Sequence, residues 1–233
     1  MNIQLQSHTT TATITTDGGY ITSLADQHGD ILYPRCIYST PDGTQKIRGG
    51  CHVCLPNFGP GGASGLAQHG FGRTSEWQVG AQSSAGVTLR LTGISPYETL
   101  DATLIYQLEA RQLTMQLTLH DTGDTPLLVA PAFHPYFAIG TEAPVLDGQT
   151  LHDRAPLADT VFVDGARRKL VACDRHITLR STNLSQWAVW TDQRGPYLCV
   201  EPTYRGNVFA EDIAQADSIA PGQQRSYELC IQW

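Results

Sequence analysis

In the segment RQLTMQLTLHDTG, Leu113, Met115, Leu117 and Leu119 alternate with Thr114, Gln116, Thr118 and His120. An extended chain with that spacing is apolar on one side and polar on the other. Such a pattern suits an antiparallel strand with one face in a core and one toward water. The same period of two runs through GVTLRLTG, ATLIYQLEA and the closing SYELCIQW, where Tyr227, Leu229, Ile231 and Trp233 take the apolar side. Asp-Gly pairs at Asp17, Asp42, Asp147 and Asp164 supply turns, because glycine accepts the positive φ that tight hairpins need. No stretch of a dozen residues carries a helical stripe. The expected fold is all-β, a large antiparallel β-sandwich formed as a single domain over residues 1–233.

Composition enters mainly through what it excludes. A net charge of -7 leaves no basic surplus to attract phosphate backbones or an anionic bilayer, so neither nucleic acid nor membrane is an expected partner. The start, MNIQLQSHTTTATITTDGG, lacks the basic residues and apolar run of a secretory signal, and no window approaches a membrane span. A cytoplasmic protein is expected. The six cysteines are spread along the chain, several in apolar contexts such as YLCVE and ELCIQW, and reduced, buried thiols are the simplest reading.

Three segments place an acid, base or cation where packing alone would not ask for one. QHGFGRTSEW carries His69 and Arg73 at the end of the glycine-rich stretch Asn57 to Gly70. APAFHPYFA sets His134 behind the apolar run Leu127 to Ala130, and PYLCVEPTYRG puts Glu201 behind Tyr197 to Val200. Pro135 and Pro202 directly follow His134 and Glu201, and because proline has no N–H, each is expected to cut off ladder pairing directly after the ionisable residue and turn that side chain out of the sheet into a cavity. A buried carboxyl there would have a raised pKa, useful in proton transfer. Each residue alone also has an ordinary explanation: His69 as a solvated loop residue, His134 as a hydrogen-bonded strand end, Glu201 as a sheet-edge charge. It is the combination that points to a site.

Other chemistries find less support. Cys51-His-Val-Cys54 has the spacing of a redox or metal pair but no helix N-terminus and no second ligand pair, so no metal is expected. GPGGASG lacks the Gly-Lys-Ser/Thr ending of a phosphate-binding loop, and no Gly-x-Ser-x-Gly elbow occurs. Trp77, Trp187, Trp190 and Tyr136 suit either core packing or a platform for sugar C–H faces.

Taken in order, ITSLADQHGDILYP, RGGCHVCLPNFGP, AQHGFGRTSEW, AFHPYFAIG and CVEPTYRG resemble the motifs of the aldose 1-epimerase, or galactose mutarotase-like, family, and most closely its hexose-6-phosphate 1-epimerase-like branch. Differences from that branch fall at Cys51-His52, at Gly72, and at Thr203-Tyr204. The resemblance implies a β-sandwich and a cofactor-free interconversion of the α and β anomers of a hexose or hexose 6-phosphate. It further implies Glu201 as general base at the C1 hydroxyl and His134 as general acid at the ring oxygen. His69 would hydrogen-bond the sugar near that oxygen, and Asp159, in LADTVFV, would contact sugar hydroxyls. Arg48 and Arg73 match arginines of the phosphosugar branch and would hold a 6-phosphate, although arginines paired with surface carboxylates would look the same. The expected partner is a small sugar or sugar phosphate, bound by a monomer or homodimer. Two alternatives remain open: a non-catalytic carbohydrate-binding or regulatory protein on the same fold, and a glycosidase pairing Glu201 with Asp159 or Glu211.

Overall fold

The computed structural model describes residues 1–40 and 43–233. Among them, two nine-stranded sheets share one hydrophobic core, and the strands that pair within them do so antiparallel. The chain thus forms the expected antiparallel β-sandwich. In the first sheet the strands run in the order Asn2–Ser7, Thr10–Thr15, Ile21–Asp26, Gly29–Leu32, Ala132–Ala138, Tyr197–Thr203, Gln186–Trp190 and Val161–Asp164, and Cys51–Cys54 pairs with both Ile21–Asp26 and Ala132–Ala138. The second sheet is built around Arg175–Thr182, Gln224–Gln232, Gln112–Asp121 and Leu100–Glu109.

The second sheet follows the alternation in the sequence. Leu113, Met115, Leu117 and Leu119 are fully buried, as are Tyr227, Leu229 and Ile231 on the neighbouring strand, while the residues between them are partly open to solvent. Each such side chain removed from water contributes about 1.5–3 kcal/mol before entropy is subtracted. Turn chemistry is equally local. Asp147 and Gly148, at φ 50° and 87°, link Val145–Leu146 to Gln149–Thr150 as the double positive φ of a primed hairpin turn requires. Gly18, at φ 72°, has a second constraint, because a Cβ there would lie 2.3 Å from the carbonyl oxygen of Arg73. Asp42 of the Asp42-Gly43 pair lies outside the described residues.

The middle of the first sheet is different. Ala132–Ala138 and Tyr197–Thr203 are buried along nearly their whole length. Phe133, Phe137, Leu198 and Val200 join the main core. The intervening side chains, His134, Tyr136, Cys199 and Glu201, take the opposite face, which is roofed by loops, so this face too is withheld from water. Here the sequence expectation holds in part: pairing is interrupted at the prolines, but neither turns its chain out of the sheet, since Ala132–Ala138 runs through Pro135 and Tyr197–Thr203 through Pro202. The pairing of these two strands lapses between Ala132↔Thr203 and Tyr136↔Cys199, the interval that holds both residues without an N–H to donate. His134 and Glu201 therefore sit in mid-sheet and reach the cavity by ordinary strand alternation.

All six cysteines are free thiols; Cys51, Cys54 and Cys199 are buried, Cys36 and Cys230 half-buried, and Cys173 exposed. No helix among the described residues is long and apolar enough to cross a membrane.

Candidate active site

Strand register assembles the site. His134 is paired with His52 on one side. On the other, the constant offset of Ala132↔Thr203 and Tyr136↔Cys199 sets it opposite Glu201, which in turn faces Ala188. Nε2 of His134 lies 3.3 Å from Oε2 of Glu201, yet Oε2 makes no aligned hydrogen bond. Acid and base are in contact without being locked together.

Rings hold the imidazole in place. Tyr20, His52, His134 and Tyr136 form a column with 4.7 Å between successive centroids, and the tilt falls to 11° between His134 and Tyr136. His69 meets His134 edge-on at 5.2 Å. The backbone at His69 is left-handed, φ 64°, and its Nδ1 accepts the Gly59 N–H at 3.2 Å. That bond assigns the ring proton to Nε2. His69 is 7% exposed, so it is not a solvated loop residue.

Burial sets the electrostatics. It pushes the Glu201 carboxyl well above its ordinary range. It pushes His134 well below its own, with the neighbouring His69, Arg73 and Arg48 acting in the same direction. Burial, with Arg73 second, lowers His69 to about 3, and burial likewise holds His52 far below the usual imidazole value. With both groups so deeply buried the uncharged pair is favoured, a carboxylic acid beside a neutral imidazole.

Above this floor is a cavity of about 550 Å³ lined by His134, Glu201, Tyr136, His69, Phe58 and Trp190, with Lys46, Arg48 and Arg73 also on its wall. A hexose fits such a volume. Of the four aromatic candidates, Tyr136 and Trp190 face the cavity, whereas Trp77 and Trp187 are packed in the core. The two arginines differ. Arg48 is tied to Asp192, with Nε and Nη2 at 2.9 and 2.8 Å from one carboxylate oxygen, and stacks over Trp190 at 5.2 Å. Arg73 donates to the Gln68 carbonyl at 3.1 Å, and among the described residues neither it nor Lys46 is within ion-pair reach of a carboxylate.

The remaining expected residues lie to one side. Asp159 is exposed at the end of the turn Ala155–Asp159; its neighbour Thr160, not Asp159, lines the cavity. Glu211 borders a separate depression with Asp164 and Arg205, so the structure brings neither carboxyl into the cavity lining beside Glu201. Conversely, His52 and Lys46 were not singled out as site residues. The alternation in CHVC places His52 and Cys54 on one face, but nothing in the sequence tells which strand lies alongside.

Comparison with known proteins places the fold in a family. A curated protein of Escherichia coli K12 named "Putative glucose-6-phosphate 1-epimerase" is 33% identical over 106 residues, a match spanning 42% of this chain and 35% of that one. A like-named protein of Cenchrus ciliaris is 38% identical over 65 residues, 27% of this chain and 18% of its own. The chain thus matches only about a third or less of the length of these relatives. Among solved structures, a protein of Synechocystis sp. PCC 6803 superposes with a TM-score of 0.82 at 22% identity, covering 100% of this chain and 95% of that one. A galactose mutarotase related enzyme of Lactobacillus acidophilus gives 0.80 at 14% identity, with 100% and 97% covered. At those identities the likeness shows the shared sandwich fold. The family model for aldose 1-epimerase matches residues 1–195, a span that includes His69 and His134 and stops short of Glu201. This chain belongs to the aldose 1-epimerase family.

Proposed function

We propose that the protein is a hexose 1-epimerase, interconverting the α and β anomers of an aldose by acid–base opening and reclosure of the ring. The observation that carries this reading is the 3.3 Å approach of His134 and Glu201 at the floor of a sugar-sized cavity. Ring opening needs one proton taken from the C1 hydroxyl and one given to the ring oxygen, atoms bonded to the same carbon. Two adjacent groups that hold one proton between them can do both.

The resting proton lies on Glu201, where burial favours it. Transfer across the short gap to His134 produces the carboxylate and imidazolium. The carboxylate then removes the C1 hydroxyl proton as the imidazolium protonates the ring oxygen and the C1 to ring-oxygen bond breaks, giving the free aldehyde. The pair is left as neutral acid and neutral imidazole, its favoured state. Rotation about C1–C2 and the reverse steps deliver the other anomer. His69, neutral and with its proton on Nε2, donates a hydrogen bond to the sugar, and Tyr136 and Trp190 offer apolar faces to its C–H groups.

A 6-phosphate is the preferred substrate in this reading. Arg73 and Lys46 line the cavity without a carboxylate partner among the described residues, and they would supply the charge-assisted contacts. Arg48 is already neutralised by Asp192 and would serve mainly to hold Trp190.

The test is anomer exchange followed by polarimetry or NMR with fresh α-glucose, α-galactose and glucose 6-phosphate. Exchange faster than buffer with the wild type, lost in Glu201→Gln, is the expected result, with the phosphosugar fastest. Sugar binding without any acceleration would instead favour the non-catalytic reading.

A further inference from the structure

Cys199 is a buried thiol that the proposed reaction does not use. It lies two residues before Glu201 on the same strand, on the same face, and it is fully buried. One donor atom each from His134, Cys199 and Glu201 lies within 4.8 Å of the others. Among these residues Oε2 of Glu201 and Nδ1 of His134 are buried without a hydrogen-bond partner. Such atoms are costly to leave unsatisfied.

We propose that the cavity floor is a binding site for a borderline-soft divalent cation, zinc being the best match, held by His134, Glu201 and Cys199. An imidazole, a carboxylate and a thiolate are the donor types zinc takes, whereas magnesium and calcium call for more oxygens. Bond lengths of about 2.0–2.3 Å imply donor separations of roughly 3.3–3.8 Å around a tetrahedral ion. Donors now within 4.8 Å of one another would therefore close by about 1.5 Å at most. Three protein ligands leave a fourth position, directed to the cavity, for water. Binding releases two protons to solvent, one as the Cys199 S–H bond breaks and the S–metal bond forms, and one from the Glu201 carboxyl as its oxygen takes the ion. His134 comes from a strand distant in the chain from the one that carries Cys199 and Glu201, so no motif spacing announces the full set.

The consequence is inhibition. The ion occupies the lone pairs of Glu201 and His134 that proton transfer requires, and it stands where the sugar would sit. This regulatory consequence rests on the epimerase reading, whereas metal binding itself does not, and the experiment separates the two.

Cobalt(II) added to the whole protein is the probe for binding. The expected result at one equivalent is a near-ultraviolet thiolate-to-cobalt charge-transfer band, displaced by zinc. The band disappears in Cys199→Ser and in Glu201→Gln but persists in Cys36→Ser and Cys173→Ser. Circular dichroism confirms folding of each variant, and Cys199→Ala replaces the serine variant if that one does not fold. Absence of a band in the wild type, or a band unchanged in a folded Cys199 variant, overturns the proposal. In the second arm, one equivalent of zinc slows catalysed exchange at least tenfold and chelation restores it, with the sensitivity lost in Cys199→Ser relative to that variant's own metal-free rate. Catalysed exchange that zinc leaves unchanged overturns the inhibition. A protein with no catalysed exchange that still gives the cobalt band refutes the epimerase reading and leaves the metal site standing.

Discussion

Two strand pairs at the centres of the two sheets use the same backbone and reach opposite ends. Gln112–Asp121 and Gln224–Gln232 pair continuously from Gln112↔Gln232 to His120↔Gln224, with one face in the core and the other toward solvent. Ala132–Ala138 and Tyr197–Thr203 are buried on both faces and lose their pairing in the middle. In the first pair a polar side chain facing outward keeps its hydration and acts as a plain surface group. In the second the outward face is roofed, so an ionisable group placed there is desolvated and its proton affinity moves. The shifted proton affinity comes from what covers the strand.

If that contrast is right, substitutions in the two pairs should affect different observables. The largest effect is expected at the roofed pair: Glu201→Gln and His134→Gln should each lower catalysed anomer exchange by about 10²–10⁴-fold. Glu201→Gln should also move the urea midpoint little, because an isosteric amide replaces the buried carboxyl. A parallel collapse of stability and rate would show that the pair holds the sheet together, and the contrast would break. Next comes Leu117→Ala in the continuous pair, where deletion of a fully buried side chain should remove about 2–5 kcal/mol from the unfolding free energy. Its rate per folded molecule should stay at the wild-type value, as activity assays corrected by denaturation curves would reveal.

A smaller effect concerns acid. In the unfolded chain His52, His69 and His134 take up protons near pH 6.5, whereas the folded chain holds all three below that value. Glu201 works the other way, since the folded state keeps its proton above the pH at which the unfolded carboxyl, near 4.5, releases it. Between about pH 6.5 and 4.5 the unfolded state therefore binds more protons, up to three against one, and stability must fall as pH falls. Unfolding midpoints across that window, compared with those of His52→Phe, would sharpen the assignment: the variant should lose part of the slope. Smallest of all, Gln116→Thr on the half-open face of the continuous pair should change stability by no more than about 0.5 kcal/mol, and a larger shift would mean that this face is not the neutral surface described.

What was legible in the sequence divides along the same line. Period two in RQLTMQLTLHDTG and SYELCIQW revealed the strands of the second sheet and their buried faces, because one-sided burial writes itself into composition. His134, Glu201 and His69 stood out as ionisable residues beside apolar or glycine-rich runs, and the structure brings all three to one cavity. Pro135 and Pro202 were read as breaking ladder pairing, which they do, yet the chain does not leave the sheet, because the gap is shared between two adjacent strands that keep their other partners. His52 stood out only as a departure from the family motif and not as a site residue, because its partners, Tyr20 and His134, are fixed by long-range register. The differing states of Arg48 and Arg73 depend on Asp192, which lies 144 residues from Arg48 along the chain.

The aromatic column has one more consequence. His134 lies between the faces of His52 and Tyr136, 4.7 Å from each, so the circulating π electrons of both rings shield its carbon-bound protons. Its resonances should appear upfield of those of an ordinary neutral histidine, in an uncrowded part of the proton spectrum. The molecule thereby carries an intrinsic spectroscopic reporter at the point where its chemistry is proposed to occur, readable without a label and sensitive to anything that enters the cavity.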